Sequence, residues 1–205
     1  MTNIEVFKQA MVKRNIIKHG HFLLTHGDHS DTYINKDAIY CNQDLFRRII
    51  FEIIELIKPY KKNFDVVVGP AVAGSLLASP ISILLNKDLA YTEKVGDKQL
   101  FRKVFDSTIK GKRVWITEDV MTTGGSVQKV IDSVNNLGGI VIGVSLIWNR
   151  LGKSPFEDAS LYEIFLVSLF NEKIDKWEEA ECPLCKEGVP LTNPKTNEII
   201  TERIA

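Results

Sequence analysis

The hydrophobic pattern of the chain begins with a helical period and changes to short extended runs before residue 40. Apolar side chains at helical spacing predict a helix within residues 3–18. The segments "GHFLLT" and "DTYIN" then predict short strands on either side of a turn at Gly27 and Asp28. These elements are expected to form an N-terminal flap.

From residue 42 onward, helical and extended patterns alternate. The first predicted elements are the helix "NQDLFRRIIFEIIELIKPY" capped by Asn42, the strand "DVVVG" and a helix after Gly74. A short strand near "LAYTE" and a charged loop follow. The last predicted elements are the strand "RVWIT", a helix from about Ser126 to Leu137, the strand "IVIGVSLIW" and a late strand in "LYEIFLVSL". Strands that alternate with helices predict an α/β fold, with a mostly parallel central sheet and helices on both faces. The expected organisation is a single domain over residues 1–205, with a core at about 40–170 and an accessory flap from about 1–38 and 171–205.

One uncharged stretch raises the alternative of a membrane span. Val66 to Leu85 are twenty residues without a charge, which is long enough to cross a bilayer. The stretch contains Gly69-Pro70 and Gly74, and it begins with three β-branched residues. These features favour a buried strand, a tight loop and a core helix.

Composition and charge narrow the function classes. The chain has 205 residues, of which 44% are hydrophobic, enough to bury a full core without disulfides. The 26 basic residues balance 26 acidic ones, so no global positive field favours nucleic acid or an anionic membrane as a partner. Three cysteines cannot all pair, and the N-terminus lacks an apolar signal-peptide segment, so a cytoplasmic location is expected.

Three loops are expected to meet at the carboxyl edge of the sheet, where ligands bind in folds of this class. They are "GPAVAG" after the first core strand, "EDVMTTGGS" after "RVWIT", and "NRLGKS" after "IVIGVSLIW". Neither glycine-rich loop matches a dinucleotide or P-loop fingerprint. "LGKS" also fails as a P-loop, because Ile147 stands where the first glycine is required.

The second of these loops contains a turn suited to phosphate. Its residues are Thr122, Thr123, Gly124, Gly125 and Ser126. Hydroxyls and closely spaced backbone N–H groups that open a helix can hold a phosphate.

Two acidic residues, Glu118 and Asp119, precede this turn. Carboxylates at a strand end would accept hydrogen bonds from the hydroxyls of a sugar attached to the phosphate. Because successive strand residues face opposite sides, both carboxylates reach one ribose only if the strand ends there. Their charge would also stabilise a sugar carbon that becomes cationic as its leaving group departs.

The segment "VWITEDVMTTGGS" resembles the phosphoribosyl-diphosphate signature of type I phosphoribosyltransferases, in which an apolar strand and two acidic residues precede a Thr/Gly-rich loop. Three further segments extend the resemblance over most of the chain. "GHFLLTHGDHSDTYINKDAIY" is similar to the N-terminal segment of orotate phosphoribosyltransferases, "VVVGPAVAG" to their pyrophosphate loop, and the "CPLCKEG" tail to one bacterial branch of that family.

The resemblance implies transfer of a 5-phosphoribosyl group from phosphoribosyl diphosphate to a ring nitrogen of orotate, a step of pyrimidine biosynthesis that releases pyrophosphate. It implies Mg²⁺ as the cofactor that bridges pyrophosphate and ribose oxygens, and a homodimer as the assembly. The implied contacts are the 5-phosphate for Thr122 to Ser126, the ribose for Glu118 and Asp119, and the pyrophosphate for the backbone of Ala71, Val72, Ala73 and Gly74. Arg150 matches the position that contacts orotate, and a guanidinium suits a planar base that carries a carboxylate.

The resemblance also assigns a mobile cationic loop, "TEKVGDKQLFRKVF", that covers the pyrophosphate, often in the partner subunit's site. Its basic residues are Lys94, Lys98, Arg102 and Lys103. Lys98 and Lys103 are the two alternatives for its catalytic residue. A charge run of this kind is equally consistent with a solvated surface.

Two positions depart from the family pattern. Many members carry lysine where this chain has Thr25, and another lysine in the pyrophosphate loop where it has Ala73. Either Lys36 compensates for the lost charge, or the base preference has changed. The alternatives are a purine phosphoribosyltransferase and a non-catalytic regulator that senses phosphoribosyl diphosphate, of which the regulator is disfavoured by the net charge of zero.

Histidines and cysteines complete the set of candidate ligands. The four histidines, His19, His21, His26 and His29, lie within eleven residues of one another, and no Asp or Cys set at ligand spacing joins them. Cys182 and Cys185 form one half of a zinc motif without its other half. The expectation is that both cysteines are ordinary reduced thiols and that the protein itself binds no metal through these residues.

Overall fold

The computed structural model describes residues 3–24, 27–156 and 164–200. The helices are α1 (Asn3–Lys13), α2 (Asp37–Tyr40), α3 (Gln43–Ile57), α4 (Ala73–Leu85), α5 (Asp106–Ile109), α6 (Gly125–Asn136) and α7 (Pro183–Lys186). The strands are β1 (Ile17–Leu23), β2 (His29–Ile34), β3 (Val66–Pro70), β4 (Asp88–Val95), β5 (Lys98–Phe101), β6 (Arg113–Met121), β7 (Ile140–Asn149) and β8 (Phe165–Asn171). The chain forms two compact units, a terminal unit of Met1–Gln43 with Lys173–Ala205 and a core unit of Asp44–Glu172.

The core unit is built on a six-stranded sheet in the order β5-β4-β3-β6-β7-β8. All neighbouring strands are parallel except β5, which runs antiparallel to β4 at one edge. This arrangement confirms the predicted α/β fold with a mostly parallel sheet. The charged loop predicted after "LAYTE" is wrong, because that segment forms the β4–β5 hairpin.

Helical segments cover the sheet on both faces. On one face α6 contributes the buried side chains Val127, Val130, Ile131 and Val134 to a cluster that includes Val68 and Ile116 of the strands. Strand residues alternate in direction, so Trp115 belongs to the opposite face. There its ring centroid lies 5.4 Å from that of Tyr60 and 5.2 Å from that of Phe64, both of which follow α3.

The uncharged stretch forms a strand and a helix, as predicted. β3 buries all of its residues, and the 13-residue helix α4 buries Leu77, Ala78 and Ile81. Within residues 3–24, 27–156 and 164–200, no helix is long and apolar enough to span a bilayer.

The terminal unit joins the two ends of the chain. β1 and β2 correspond to the two short strands predicted around Gly27 and Asp28, and they pair antiparallel, with Ile17 opposite Ile34. The C-terminal tail, which begins at Lys173, pairs with the β1–β2 hairpin at two isolated bridges, His29 with Trp177 and Phe22 with Thr192. Backbone hydrogen bonds therefore connect segments at opposite ends of the sequence.

The first helix is shorter than predicted. α1 ends at Lys13, because Asn15 adopts a left-handed conformation (φ 56°) and the Ile16 N–H donates to the Met11 carbonyl oxygen at 3.0 Å. This turn ends the helix and lets the chain enter β1, where Ile17 is buried.

Candidate active site

β6 is longer than predicted and includes both acidic residues, Glu118 and Asp119. It pairs with β7 as far as Met121, which lies opposite Asn149, so the predicted strand end at Thr117 is wrong. β3 pairs with β6 only as far as Ile116. On the β3 side, the last residues of β6 therefore lie where the β3–α4 loop turns away from the sheet.

Glu118 and Asp119 differ in direction and burial. Both lie within β6, where consecutive side chains face opposite sides, so the condition for a shared contact with one ribose is not met. Glu118 is half-buried, whereas Asp119 is only 1% exposed. The backbone N–H of Asp119 donates to Glu118 Oε1 at 2.9 Å, and that of Val120 donates to Asp119 Oδ1 at 2.6 Å. These bonds orient each carboxylate against its own strand.

The turn predicted to hold phosphate opens α6. Gly124 precedes the helix with φ of 82°, a conformation that favours glycine. The exposed residues of the turn and first helical positions are Thr122, Thr123, Gly125 and Ser126. The Gly125 N–H reaches Thr123 Oγ1 only at 3.4 Å. Hydroxyls and the first amides of a 12-residue helix thus face solvent at the end of β6.

Two glycines let the β3–α4 loop fold tightly against β6. A Cβ on Gly69 would collide with the carbonyl group of Gly74. A Cβ on Gly74 would lie 2.6 Å from Pro70 Cδ and 2.8 Å from the carbonyl oxygen of Thr117. The first turn of α4 therefore packs against the residue immediately before Glu118, which brings the two glycine-rich loops together.

The backbone groups of this loop are not equally placed for an anion. The Ala71 N–H donates to the Thr92 carbonyl oxygen at 2.7 Å, so that amide is already used in the sheet. The Ala71–Val72 peptide is cis, Val72 is 71% exposed, and α4 begins at Ala73. An anion at this loop would meet the N-terminal end of α4, from Val72 to Gly74, rather than the Ala71 N–H.

Arg150 lies directly after β7, beside the end of β6. Its backbone N–H donates to the Met121 carbonyl oxygen at 2.9 Å, so it is held next to the start of the phosphate turn. Partial burial lowers the pKa of its guanidinium through desolvation, and no acidic neighbour in the described part of the chain offsets that effect. The side chain nevertheless remains charged, because an arginine pKa lies far above neutrality. A partly desolvated cation at this edge is suited to a carboxylate ligand.

The basic residues of the predicted cationic loop are exposed on the β4–β5 hairpin and just after it. They are Lys94, Lys98, Arg102 and Lys103. Arg102 forms a bidentate pair with Glu93, with N···O distances of 3.0 and 2.5 Å. At the hairpin turn Asp97 pairs with Lys129 of α6. The neighbouring Lys98 is therefore anchored near the N-terminal half of the helix that begins at the phosphate turn.

Three further residues named in the sequence analysis belong to the terminal unit or lie outside the described residues. Lys36 belongs to the terminal unit, directly before α2. Thr25 and His26 lie outside the described residues.

Four residues that the sequence analysis kept apart lie together in the terminal unit. They are His21, His29, Cys182 and Cys185, whose ligand atoms are all within 4.8 Å of one another. The expectation that no cysteine set joins the histidines is wrong, because the two ends of the chain fold into one unit. The available signals were a C-x-x-C in the tail and two histidines in the predicted N-terminal flap, but sequence spacing alone could not pair them.

Comparison with known proteins places these features in a family. A family model for the phosphoribosyl transferase domain matches residues 35–183. The orotate phosphoribosyltransferase of Caldanaerobacter subterraneus subsp. tengcongensis is 38% identical, over 96% of this chain and 97% of that protein. The orotate phosphoribosyltransferase of Thermoanaerobacter sp. (strain X514) is also 38% identical, over 93% and 94%.

Solved structures agree with this grouping at the level of the fold. Orotate phosphoribosyltransferase from Aeropyrum pernix has a TM-score of 0.65 at 22% identity, over 79% of this chain and 91% of that chain. Adenine phosphoribosyltransferase from Thermoanaerobacter pseudethanolicus has a TM-score of 0.57 at 20% identity, over 68% and 87%. The fold is thus shared by proteins named for different bases, whereas the near-full-length sequence relatives are named for orotate. The chain belongs to the phosphoribosyltransferase family, within the group of the orotate phosphoribosyltransferases.

Proposed function

We propose that this protein transfers the 5-phosphoribosyl group of phosphoribosyl diphosphate to a ring nitrogen of orotate, giving orotidine 5'-phosphate and pyrophosphate. The bond between ribose C1 and the pyrophosphate oxygen breaks, and a bond between C1 and the ring nitrogen forms as that nitrogen gives up its proton. One observation carries the proposal. Near its end β6 has two carboxylates, Glu118 and Asp119, and it leads directly into an exposed turn, rich in hydroxyls and glycine, at the start of α6. The product would enter pyrimidine nucleotide biosynthesis.

The turn at the start of α6 would hold the 5-phosphate. The helix N-terminus carries about half a positive charge, and its first amides point outward toward an anion. Thr122, Thr123 and Ser126 add exposed hydroxyls around the same position. Gly125 is exposed and carries no side chain that would cover these amides.

The first turn of α4 would hold the pyrophosphate. Gly74 packs beside Thr117, so this second helix N-terminus lies against the segment that carries the acidic residues. Phosphoribosyl diphosphate has a phosphate at one end of the ribose and a pyrophosphate at the other. A substrate that occupies both helix N-termini would therefore place its ribose at the end of β6, where Glu118 and Asp119 face it from different sides of the strand.

The two carboxylates would then act differently. Glu118 is half-buried and can accept hydrogen bonds from the ribose hydroxyls. Asp119 is almost fully buried, and its charge would act at short range on C1 as positive charge develops there. Both are already oriented by backbone N–H groups, so little reorganisation accompanies the reaction.

Magnesium suits the oxygen donors of this site. Carboxylate oxygens, together with phosphate and hydroxyl oxygens of a substrate, are the hard ligands that Mg²⁺ prefers, and Glu118 is the carboxylate here with partial access to solvent. When bound, Mg²⁺ would neutralise charge on the departing pyrophosphate.

Arg150 would recognise the carboxylate of orotate. It is held beside the end of β6 through the Met121 carbonyl oxygen, close to where the ribose would lie. A planar guanidinium can bind a carboxylate through two parallel hydrogen bonds, and partial desolvation strengthens that contact. A purine carries no carboxylate, so this cation favours orotate over a purine as the accepted base.

The exposed lysines of the β4–β5 segment would cover the pyrophosphate in a homodimer. Lys98 and Lys103 have no described ion-pair partner, unlike Arg102, which pairs with Glu93. If these lysines serve the neighbouring site, a Lys98→Ala/Lys103→Ala variant mixed with an Arg150→Ala variant should recover activity, because each heterodimer keeps one intact composite site. No recovery after verified subunit exchange would place the lysines in their own chain's site.

The proposed setting is the cytoplasm, with small-molecule substrates rather than nucleic acid or a membrane as partners. Balanced charge, 26 basic against 26 acidic residues, gives no general attraction to a polyanion. The exposed Cys41 is compatible with a reducing compartment.

The decisive experiment measures which base is consumed. The purified protein is incubated with phosphoribosyl diphosphate, Mg²⁺ and, separately, orotate, uracil, adenine or hypoxanthine, and nucleotide formation is quantified. Orotate should be the preferred base. Preference for adenine or hypoxanthine would replace the proposal with a purine enzyme, and binding of phosphoribosyl diphosphate without turnover of any base would favour a regulator.

A further inference from the structure

Four metal-ligating side chains converge inside the terminal unit. His21 lies on β1 and His29 begins β2, while Cys182 precedes α7 and Cys185 lies within it. His21 and His29 are 2% exposed, Cys182 is fully buried, and Cys185 is partly buried. None of the four belongs to the proposed reaction site.

The ligand atoms of the cluster are all within 4.8 Å of one another, close to the spacing around a tetrahedral ion. His21 Nε2 lies 3.0 Å from His29 Nδ1, 3.4 Å from Cys182 Sγ and 3.7 Å from Cys185 Sγ, and His29 Nδ1 lies 3.2 Å from Cys185 Sγ. A tetrahedral Zn²⁺, with bonds of about 2.0 Å to nitrogen and about 2.3 Å to sulfur, keeps its ligand atoms roughly 3.3–3.8 Å apart. Small adjustments of the side chains would complete the tetrahedron.

Hydrogen bonds within the cluster do not account for this convergence. His21 Nδ1 lies 2.8 Å from the Val189 carbonyl oxygen, which can only accept, so Nδ1 carries the hydrogen and Nε2 presents its lone pair to the cluster. That single lone pair faces His29 Nδ1 and both sulfur atoms, and it can accept well from only one of them. A cation would instead accept a lone pair from each of the four atoms. The bond to Val189 is also the kind of outer contact that orients a metal-bound histidine.

The backbone holds both halves of the cluster in place. His29 exchanges two hydrogen bonds with Trp177, at 2.7 and 2.9 Å, and the His21 carbonyl oxygen accepts the Thr192 N–H at 2.8 Å. These contacts fix the hairpin to the tail on either side of the cysteines. Cys182 and Cys185 are three residues apart around one helical turn, which places both sulfur atoms on the same side.

We propose that His21, His29, Cys182 and Cys185 bind one Zn²⁺ as a structural site that ties the C-terminal tail to the N-terminal hairpin. Two thiolates and two imidazoles are a set typical of structural zinc, and soft sulfur ligands disfavour Mg²⁺ and Ca²⁺. All four tetrahedral positions come from the protein, so none remains for a substrate. The metal would stabilise a small unit whose core alone is limited, because binding energy at such a site is also folding energy.

The first test measures metal in the protein as purified, without chelators or a metal-affinity tag. Elemental analysis should find about one Zn²⁺ per chain. Cys182→Ser and Cys185→Ser should lose most of that zinc. Cys41→Ser and His19→Asn are matched controls outside the cluster and should retain it. A wild-type protein that contains no zinc, and takes up none when dialysed against Zn²⁺, overturns the proposal without any variant having to fold.

The second test identifies the ligands by spectroscopy. Protein stripped of metal and loaded with Co²⁺ should show thiolate-to-cobalt absorption and the intense visible bands of tetrahedral coordination. Both signals should be reduced in Cys185→Ser and His29→Asn and unchanged in Cys41→Ser. A cobalt spectrum of octahedral oxygen coordination, or a Cys182–Cys185 disulfide in the purified protein, would contradict the assignment.

The third test measures what the metal does. Removal of zinc should lower the melting temperature by roughly 5–10 °C and expose the tail to limited proteolysis, and restored Zn²⁺ should reverse both changes. Unchanged melting and proteolysis would overturn the structural role. Asp119→Asn should keep its zinc whatever its activity, so failure of the zinc proposal and failure of the proposed reaction are distinguishable.

Discussion

Gly74→Ala tests whether the packing between the two glycine-rich loops positions the substrate. The added Cβ would lie 2.6 Å from Pro70 Cδ and 2.8 Å from the Thr117 carbonyl oxygen, whereas ordinary contacts begin at 3.4 Å. Neither neighbour can yield easily, since one is a proline ring and the other is sheet backbone. The first turn of α4 must therefore move away from β6 by about 0.6–0.8 Å, and overpacking of this kind costs ~1–3 kcal/mol of stability.

The kinetic effect follows from that displacement. Misplacement of a binding group by about 1 Å can reduce a rate by up to ~100-fold. We expect kcat/KM for phosphoribosyl diphosphate to fall about 10- to 100-fold, which corresponds to roughly 1.4–2.7 kcal/mol of transition-state stabilisation. The assay is steady-state kinetics with both substrates varied, together with pyrophosphate inhibition, which should weaken in parallel. The KM for orotate should change little, because Arg150 lies at the end of β7.

Gly143→Ala is the matched control. Its added Cβ would collide with the ring of Trp115 in the core, so it should also destabilise the fold, but it does not touch the β3–α4 loop. Folded Gly143→Ala protein should bind phosphoribosyl diphosphate normally. The reasoning is refuted if folded Gly74→Ala keeps wild-type kinetics, or if both variants lose phosphoribosyl diphosphate affinity to the same extent.

Substitutions at three further residues test the site and the fold. Asp119→Asn should fold normally but lose about 100-fold in kcat, or ~3 kcal/mol, because an amide cannot stabilise positive charge, and wild-type turnover would contradict this role. Arg150→Ala should weaken orotate use by several kcal/mol with little change for phosphoribosyl diphosphate, and Arg150→Lys should rescue it only in part; a loss confined to phosphoribosyl diphosphate would reassign the residue. The Asp65 carboxylate, bonded to the Arg113 guanidinium at 2.7 and 3.0 Å, has its pKa lowered to about 2, chiefly by that hydrogen-bonded contact. The stabilisation from this contact is present above the unfolded pKa and is lost as pH falls from about 4 to 2. Asp65→Asn should therefore lower the free energy of unfolding by ~1 kcal/mol at pH 7, a value discounted for solvent exposure, and by almost nothing near pH 2. Urea unfolding at both pH values measures this difference. An equal cost at both pH values would exclude this linkage.

The sequence was sufficient for most of the sheet because buried parallel strands have a strong signature. "DVVVG" and "IVIGVSLIW" are apolar runs, and they correspond to β3 and β7. The helix predicted from about Ser126 begins at Gly125, directly after Gly124, whose positive φ the turn requires. The turn that precedes α6 therefore follows from local sequence.

The end of β6 could not be predicted from the local sequence. Glu118 and Asp119 interrupt the apolar pattern, which suggested a strand end, but the ladder to β7 uses backbone groups that do not depend on side-chain polarity. The carboxylates are accommodated because each accepts the next backbone N–H. In the β4–β5 hairpin, the Gly96-Asp97 pair between Val95 and Lys98 is a two-residue turn signal that the surrounding charges obscured.

The terminal cluster escaped prediction for a different reason. His21 and Cys182 are 161 positions apart, and no local pattern reports a contact over that distance. Each half has an ordinary explanation when taken alone, a hairpin histidine and a reduced thiol. The backbone bridges between His29 and Trp177 and between Phe22 and Thr192 bring the halves together.

In the proposed site, the acidic pair and the two loops that would bind anions are compatible because they occupy different positions. Two helix N-termini, of α4 and α6, provide the positive ends that phosphates require, while β6 carries the negative charge between them. A ribose that joins two anionic groups has its own reacting carbon in the middle, where positive charge develops. The proposed site therefore has positive helix ends opposite the two anionic groups of the substrate, and negative carboxylates near the carbon that becomes positive in the transition state. Because Asp119 is buried and Glu118 is half-buried, the first should affect mainly kcat and the second mainly the KM for phosphoribosyl diphosphate. Kinetics of Asp119→Asn beside Glu118→Gln would measure that difference, and identical effects on both constants would show that the two carboxylates act as one unit.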